Sequence, residues 1–202
     1  MAKKIDRASY NTVRLAMPHR LCFLATVFVF ALAANTALAQ FTAPGPDFVD
    51  AIRRNDYTQF RECIVAGNNV NDKTIDGTPL LVYAAGLGRT QMIVELVGAG
   101  ARTSERDESG DTALTTAARH AFNDIAIALL KLGADPDLDG ARGETPLLIA
   151  AITNNRALAQ ALIDAKADLN TADYTGLTPL SAAEERGNRS LVHLLRQAGA
   201  QL

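Results

Sequence analysis

Cysteine, histidine and long apolar runs are scarce in this chain, and each scarcity excludes a class of protein. The 202 residues include two cysteines and three histidines. Cys22 lies in the N-terminal leader described below, so a mature chain would keep Cys63 alone and could form no internal disulfide. His120 and His193 are far apart, with no Cys-x-x-Cys or His-x-x-x-His spacing that would suit zinc. We find no catalytic set of residues either, and expect a protein that is not an enzyme and that uses no cofactor.

The longest apolar run, residues 21–34, is shorter than the roughly 20 residues that a membrane-spanning helix needs. A basic segment precedes the run, and Ala37 and Ala39 place small residues at the −3 and −1 positions of a cleavage site. The pattern predicts a signal peptide over residues 1–39, cleaved after Ala39, with Met17 as a possible true start. The alternative is an uncleaved N-terminal anchor, which would tether the protein to a membrane. With cleavage, we expect a periplasmic or secreted protein.

Positive charge is also scarce once the leader is removed. Residues 40–202 contain 15 Lys and Arg against 21 Asp and Glu, a net charge of −6. A chain of that charge has no electrostatic attraction to nucleic acid or to an anionic membrane surface. We therefore expect neither as a partner.

Two series of residues recur every 33 positions. The first is Gly77, Gly110, Gly143 and Gly176, and the second is Gly67, Gly100, Gly133 and Gly199, with Lys166 in the one gap. A fixed period of this length is typical of stacked repeats, in which each unit is too small to bury its own apolar face. The register divides residues 40–202, as one domain, into units at about 44–73, 74–106, 107–139, 140–172 and 173–202, the first of them degenerate.

Each unit shows the pattern of two helices. Thr145-Pro146 and Thr178-Pro179 supply a capping threonine and a proline suited to the first helical position. In the second unit Thr78-Pro79 comes one residue earlier, which predicts an earlier helix start there. Small residues such as Ala150-Ala151 allow close helix packing, and a second helix with apolar residues at three- and four-residue steps follows. The leucine at the Leu147 position recurs in four units, which predicts a buried layer.

The motif Gly143-Glu144-Thr145-Pro146-Leu147, continued by Ala150-Ala151 and Ala167-Asp168, resembles the ankyrin repeat. The resemblance is strong over residues 74–202 and weak over 44–73. It implies an all-α solenoid of stacked helix-turn-helix units with outward hairpin turns, about five units including a degenerate N-terminal cap. It also implies a role in binding other proteins.

Three departures from a uniform repeat lead to structural expectations. The histidine that often follows Thr-Pro-Leu in the family is replaced by Val82, Thr115, Leu148 and Ser181, so that polar bridge is absent and we expect stacking to rely more on apolar burial. In the last unit Glu184 and Arg196 replace apolar residues, as expected of a terminal cap whose outer face meets water. Cys63 occupies a repeat position that is leucine elsewhere, so we expect a buried thiol in preference to a reactive one.

Asp135, Asp137 and Asp139 begin like a calcium-binding EF-hand loop. The twelfth position of such a loop requires a glutamate, and here that position is Pro146. Aspartate is common in turns because of its local hydrogen bonds, and we prefer that interpretation.

In this architecture the residues beside each turn glycine and at the end of each first helix are expected to be exposed, Asp111 and Glu144 included. Tyrosine, arginine and large apolar side chains are the types that anchor protein interfaces. The predicted protein-binding surface consists of Ile75, Arg119, Arg142, Ile152, Tyr174 and Leu177.

The favoured function is a non-catalytic protein–protein interaction module, acting as a scaffold, inhibitor or accessory factor in the envelope of a Gram-negative bacterium. The alternatives are a membrane-tethered adaptor with an uncleaved anchor and, third, an enzyme whose site the sequence does not reveal.

Overall fold

Five antiparallel pairs of short helices follow one another along residues 47–201, the part of the chain that this computed structural model describes. The predicted leader, residues 1–39, lies outside the described residues. The ten α-helices of the described part are α1 (Phe48–Arg54), α2 (Tyr57–Val65), α3 (Leu80–Gly86), α4 (Thr90–Gly98), α5 (Ala113–Arg119), α6 (Asn123–Lys131), α7 (Pro146–Ile152), α8 (Arg156–Asp164), α9 (Pro179–Glu185) and α10 (Arg189–Ala198). The first helices stack on one another (α1, α3, α5, α7, α9), and the second helices α4, α6, α8 and α10 do so as well. The expected all-α solenoid is confirmed.

Threonine caps fix where the first helices begin. The Thr145 hydroxyl accepts a hydrogen bond from the Leu148 amide at 3.2 Å, and Pro146 occupies the first turn, where no amide donor is needed. Thr112 and Thr178 cap α5 and α9 in the same way. These contacts satisfy amide groups that the helix itself leaves unpaired.

The early helix start predicted for the second unit is wrong. Helix α3 begins at Leu80, the same repeat position as Ala113 and Pro146 in later units. The shifted proline, Pro79, takes the position of the capping threonine, and α3 has no side-chain cap. Packing against α5 therefore sets the helix boundary, and the missing cap does not move it.

A four-residue turn precedes each first helix from the second unit onward. These turns, called tips below, are residues 74–77, 107–110, 140–143 and 173–176. In each tip the glycine amide donates to the carbonyl three residues earlier, at 2.9 to 3.1 Å. The tips project from the helical stack and present residues that the core does not use.

Aliphatic side chains from all five units form one continuous core. Leu81, Leu114, Leu147 and Leu180 are each at most 3% exposed, which confirms the predicted leucine layer. Cys63 is fully buried, as its repeat position predicts. Removal from water raises the pKa of its thiol, an effect to which nearby Asp47 adds.

Polar bridges at other repeat positions than that of the missing histidine accompany the apolar burial. Side chains at one repeat position accept amide hydrogen bonds from the following unit: Asn71 Oδ1 from Arg102, Asp137 Oδ1 from Asp168, and Asn170 Oδ1 from Gln201, at 2.7 to 2.9 Å. On the helical side, Asn155 Nδ2 donates to Asn123 Oδ1 at 2.6 Å. Asparagine and aspartate thus supply the polar links that histidine does not.

The last unit carries the polar outer face predicted for it. Glu184 and Arg196 form an ion pair, with 2.6 Å between Oε1 and Nη2. Within residues 47–201, none of the helices combines the length and the apolar character needed to cross a membrane.

Candidate protein-binding surface

The tip of the fourth unit differs from its neighbours because it begins with glycine. In the third and fifth units the equivalent residues are Asp107 and Asp173, whose carboxylates accept amide hydrogen bonds within their own tips. Gly140 has no side chain to do this, and the tip that follows it contains a short 3₁₀ turn, Ala141–Gly143.

Asp111 of the preceding unit compensates for the missing carboxylate. Its Oδ1 accepts a hydrogen bond from the Ala141 amide at 3.0 Å. A Cβ added at Gly140 would lie 2.0 Å from this same oxygen, closer than two non-bonded atoms can approach. Glycine at 140 and aspartate at 111 are therefore linked requirements of the junction between the third and fourth units.

Arg119, at the end of α5, completes this junction. Its Nε lies 3.0 Å from Asp111 Oδ2, its Nη1 lies 2.5 Å from Glu144 Oε2, and its Nη2 donates to the Ala141 carbonyl at 3.2 Å. Burial alone would lower the pKa of Arg119, but hydrogen bonds to the two carboxylates outweigh it and raise the pKa above its ordinary value. The guanidinium stays charged and joins two units.

The prediction that Asp111 and Glu144 are exposed is wrong. They are 9% and 5% exposed, and both serve the junction around Arg119. Sequence reasoning missed this cluster, although one signal was available. The two acids occupy the same repeat position in successive units, immediately after the turn glycine, and a cation follows the first of them by eight residues.

Arg142 and Tyr174 lie side by side on the outer surface of this junction. The Tyr174 amide donates to the Arg142 carbonyl at 3.1 Å, and the tyrosine ring lies directly over Gly143. The Arg142 side chain is 73% exposed while its Nη2 contacts Glu144 Oε1 at 2.7 Å. Tyr174 is 80% exposed. Two residues of the types that anchor interfaces are thus held together and open to solvent.

The backbone at Arg142 is itself unusual. Its φ angle is +65°, in the left-handed region that non-glycine residues rarely adopt, and the neighbouring Gly143 also has positive φ. Such conformations persist where the surrounding structure enforces them, and they occur preferentially at functional sites. The contacts of Glu144, Tyr174 and Arg119 provide that enforcement here.

The other four predicted surface residues are placed differently. Ile75 is fully exposed, but on the tip of the second unit, three units away from Tyr174. Ile152 and Leu177 are half-buried against the core. Arg119 lies behind Arg142, with a side chain 27% exposed. The structure therefore brings together Arg142 and Tyr174, supported from below by Arg119, and these three residues with Asp111 and Glu144 are called the tip junction below.

The remaining candidates for chemistry have structural contacts. Asp135 Oδ1 accepts from the Asp137 amide, Asp137 bridges to the next unit, and Asp139 pairs with Arg106 at 2.7 Å. His120 is exposed and stacks on Phe122, with ring centroids 5.6 Å apart. Among residues 47–201 no three His, Cys, Asp or Glu side chains are arranged to hold a metal ion.

Comparison with known proteins agrees with this architecture. A family model described as ankyrin repeats (3 copies) matches residues 48–140 and 121–202. No curated protein sequence gives a match. Since the two matched segments together cover well over half of the chain, and since the repeat register and the stacked helix pairs agree with them, the chain belongs to the ankyrin-repeat family.

Proposed function

We propose that this protein is an exported, non-catalytic protein-binding module that contacts its partner through the tip junction. Ankyrin repeats are generally protein–protein interaction modules, and the chain belongs to that family. The observation that carries the choice of surface is the pairing of exposed Arg142 and Tyr174 on a backbone that neighbouring units hold in place.

The energetics of binding favour this surface over the others described. A partner gains most from anchors that are already ordered, because little conformational entropy is then lost on association. Tyr174 is restrained by its contact with Gly143, and Arg142 by its ion pair with Glu144. Ile75 is more exposed than either, and at full exposure its side chain packs against no neighbour among residues 47–201 that would hold it in place.

The proposed setting is the envelope of a Gram-negative bacterium, where the protein acts as a scaffold, inhibitor or accessory factor for another envelope protein. The basic segment, the apolar run and the Ala37-Leu38-Ala39 site support export. Mass spectrometry of the mature N-terminus tests this: a chain beginning at Gln40 supports a released protein, and a retained leader supports a membrane-tethered adaptor.

The binding surface is tested by crosslinking and co-purification of the tagged protein from its native envelope fraction. The double variant Arg142→Ala, Tyr174→Ala should lose a partner that the wild type captures, with an unchanged helical circular dichroism signal. The matched control is Lys131→Ala, Val94→Ala, which removes one exposed cation and one exposed apolar side chain from the second helices. Equal capture by wild type and the tip variant would exclude this surface.

A further inference from the structure

The two ends of the described helical stack are related by the repeat register. Between the third and fourth units, Ile127, Leu130 and Lys131 of α6 line one groove together with Ala161, Asp164 and Ala165 of the next unit. The positions equivalent to the α6 residues in the last unit are His193, Arg196 and Gln197. In the first unit, the positions of Ala161, Asp164 and Ala165 are occupied by Glu62, Val65 and Ala66.

Each end carries an open hollow at these positions. At the C-terminal end the hollow is lined by Glu184, Gly187, Arg189, Val192, His193 and Arg196. At the N-terminal end, on α2, it is lined by Tyr57, Thr58, Arg61, Glu62, Val65 and Ala66. Val65 is 84% exposed, an unusual state for a large apolar residue on a helix. Each hollow includes positions that line the groove between two successive units inside the stack.

The charges of the two ends are complementary. At the C-terminal end Arg196 is paired with Glu184, and Arg189, beside His193, forms no ion pair with another residue of 47–201. At the N-terminal end Arg61 lies 3.8 Å from Glu95, and Glu62 likewise forms no ion pair within the described part of the chain. Opposite charges on the two surfaces favour one relative orientation of two such ends.

A hydrogen bond inside the stack shows how the ends can join. Arg156 of the fourth unit donates from Nη1 to the Ser190 carbonyl of the fifth unit at 3.3 Å. Arg189 and Thr58 occupy these same two repeat positions in the last and first units. The C-terminal end therefore has an arginine at the position of Arg156, and the N-terminal end has a backbone carbonyl at the position of Ser190.

We propose that a second copy of this chain docks end to end, with the C-terminal hollow of one copy on the α2 face of the next, so that the stack continues from one molecule into another. The two contacting surfaces differ, so each added copy leaves a free surface of each kind and the assembly is open-ended. This association is independent of the tip junction and leaves Arg142 and Tyr174 of every copy exposed.

Sedimentation of protein purified after expression of the full sequence tests the proposal. The weight-average mass should rise steadily with concentration. Glu62→Arg and His193→Glu should each weaken association about tenfold or more, because the first brings an arginine toward Arg189 and the second brings a glutamate toward Glu62; the double variant should regain association. Asp76→Arg, which makes the same charge change on an exposed tip, and Arg142→Ala, Tyr174→Ala should associate like the wild type. A monomer mass at every concentration would overturn the proposal.

Disulfide trapping tests the orientation. Val65→Cys and Gln197→Cys occupy the matching positions at the two ends; both variants also carry Cys22→Ser, and the native Cys63 is buried and does not compete. A mixture of the two variants should form crosslinked dimers much faster than either variant alone. Equally fast crosslinking of one variant with itself would show a symmetric contact and overturn the end-to-end arrangement.

Discussion

Arg119 of the third unit and Glu144 of the fourth form an ion pair across the boundary between two repeats, with 2.5 Å between Nη1 and Oε2. Asp111 shares the same guanidinium, so one cation pairs with two carboxylates, and the side chains that carry them are 12% and 7% exposed. The pair lies directly beneath Arg142, whose own guanidinium contacts the other oxygen of Glu144. The stability of the stack and the presentation of the binding surface thus depend on the same carboxylate.

Arg119→Ala should destabilise the protein by about 2–3 kcal/mol. Removal of one partner from a buried ion pair costs roughly 3–5 kcal/mol because the other charge is left unpaired, and the partial exposure of Arg119 reduces that cost. Chemical denaturation followed by circular dichroism measures the change. Arg53→Ala is the control, since Arg53 pairs with Asp50 at the surface with a side chain 60% exposed, and such pairs contribute about 0–1 kcal/mol. Equal effects of the two substitutions would contradict the role assigned to Arg119.

Leu147→Ala should destabilise the protein by about 2–5 kcal/mol, because it opens a cavity in the middle of the stack. Leu147 is 1% exposed and belongs to the leucine layer shared by four units. Val65→Ala, at a position 84% exposed, should change the free energy of unfolding by less than about 0.5 kcal/mol. Thermal and urea unfolding of the two variants would distinguish a core position from a surface position, and an unchanged melting temperature for Leu147→Ala would contradict the repeat register.

The fold could be predicted because the residues that determine it recur at a fixed interval along the sequence. Leu81, Leu114, Leu147 and Leu180 repeat every 33 residues, and any single unit shows the pattern that the others confirm. The core and the buried Cys63 follow from that register alone. The start of α3 did not follow from local signals, because neighbouring helices outweigh the displaced Thr78-Pro79 pair in setting the boundary.

The tip junction was only partly predictable because its contacts cross repeat boundaries and occur once. Arg142 and Tyr174 were found from their residue types and their place beside turn glycines. The burial of Asp111 depends on Gly140, which creates the space and leaves the Ala141 amide without a local acceptor. A contact between single residues of different units does not recur every 33 residues. An assignment based on the repeat register therefore places both acids at the surface.

Asp173→Asn should destabilise the protein near neutral pH, and the effect should shrink in acid. The Thr175 hydroxyl and the amides of Leu177 and Thr175 donate hydrogen bonds to this carboxylate, and together with Arg142 they lower the pKa of Asp173 below its ordinary value. A lowered folded-state pKa gives stability that is fully present above the unfolded pKa of about 3.9 and is lost as pH falls through the lower folded value.

The measurement is the difference in unfolding free energy between wild type and Asp173→Asn at pH 7 and at several values below pH 4. The difference should be largest at pH 7 and should narrow steadily below pH 4. Asp76→Asn, on the exposed tip of the second unit, is the control and should produce little change at either pH. A difference that stays constant across the range would show that the ionised carboxylate contributes nothing to the fifth tip.

Lys166→Gly should stabilise the protein by about 0.5–1 kcal/mol. Lys166 fills the one gap in the second glycine series and has a φ angle of +68°, as its glycine equivalents do at +75° to +103°. A left-handed conformation costs a non-glycine residue roughly 1–2 kcal/mol, and glycine removes that cost. Part of the resulting gain in stability is offset because glycine loses more entropy on folding. The control is Lys131→Gly in the last turn of α6, where the backbone is helical and glycine should destabilise by up to about 1 kcal/mol. Urea unfolding measures the change in unfolding free energy for both variants, and changes of opposite sign would show that backbone conformation at the helix end decides the effect. A loss of stability in both variants would mean that the Lys166 side chain makes a contribution that outweighs its backbone strain.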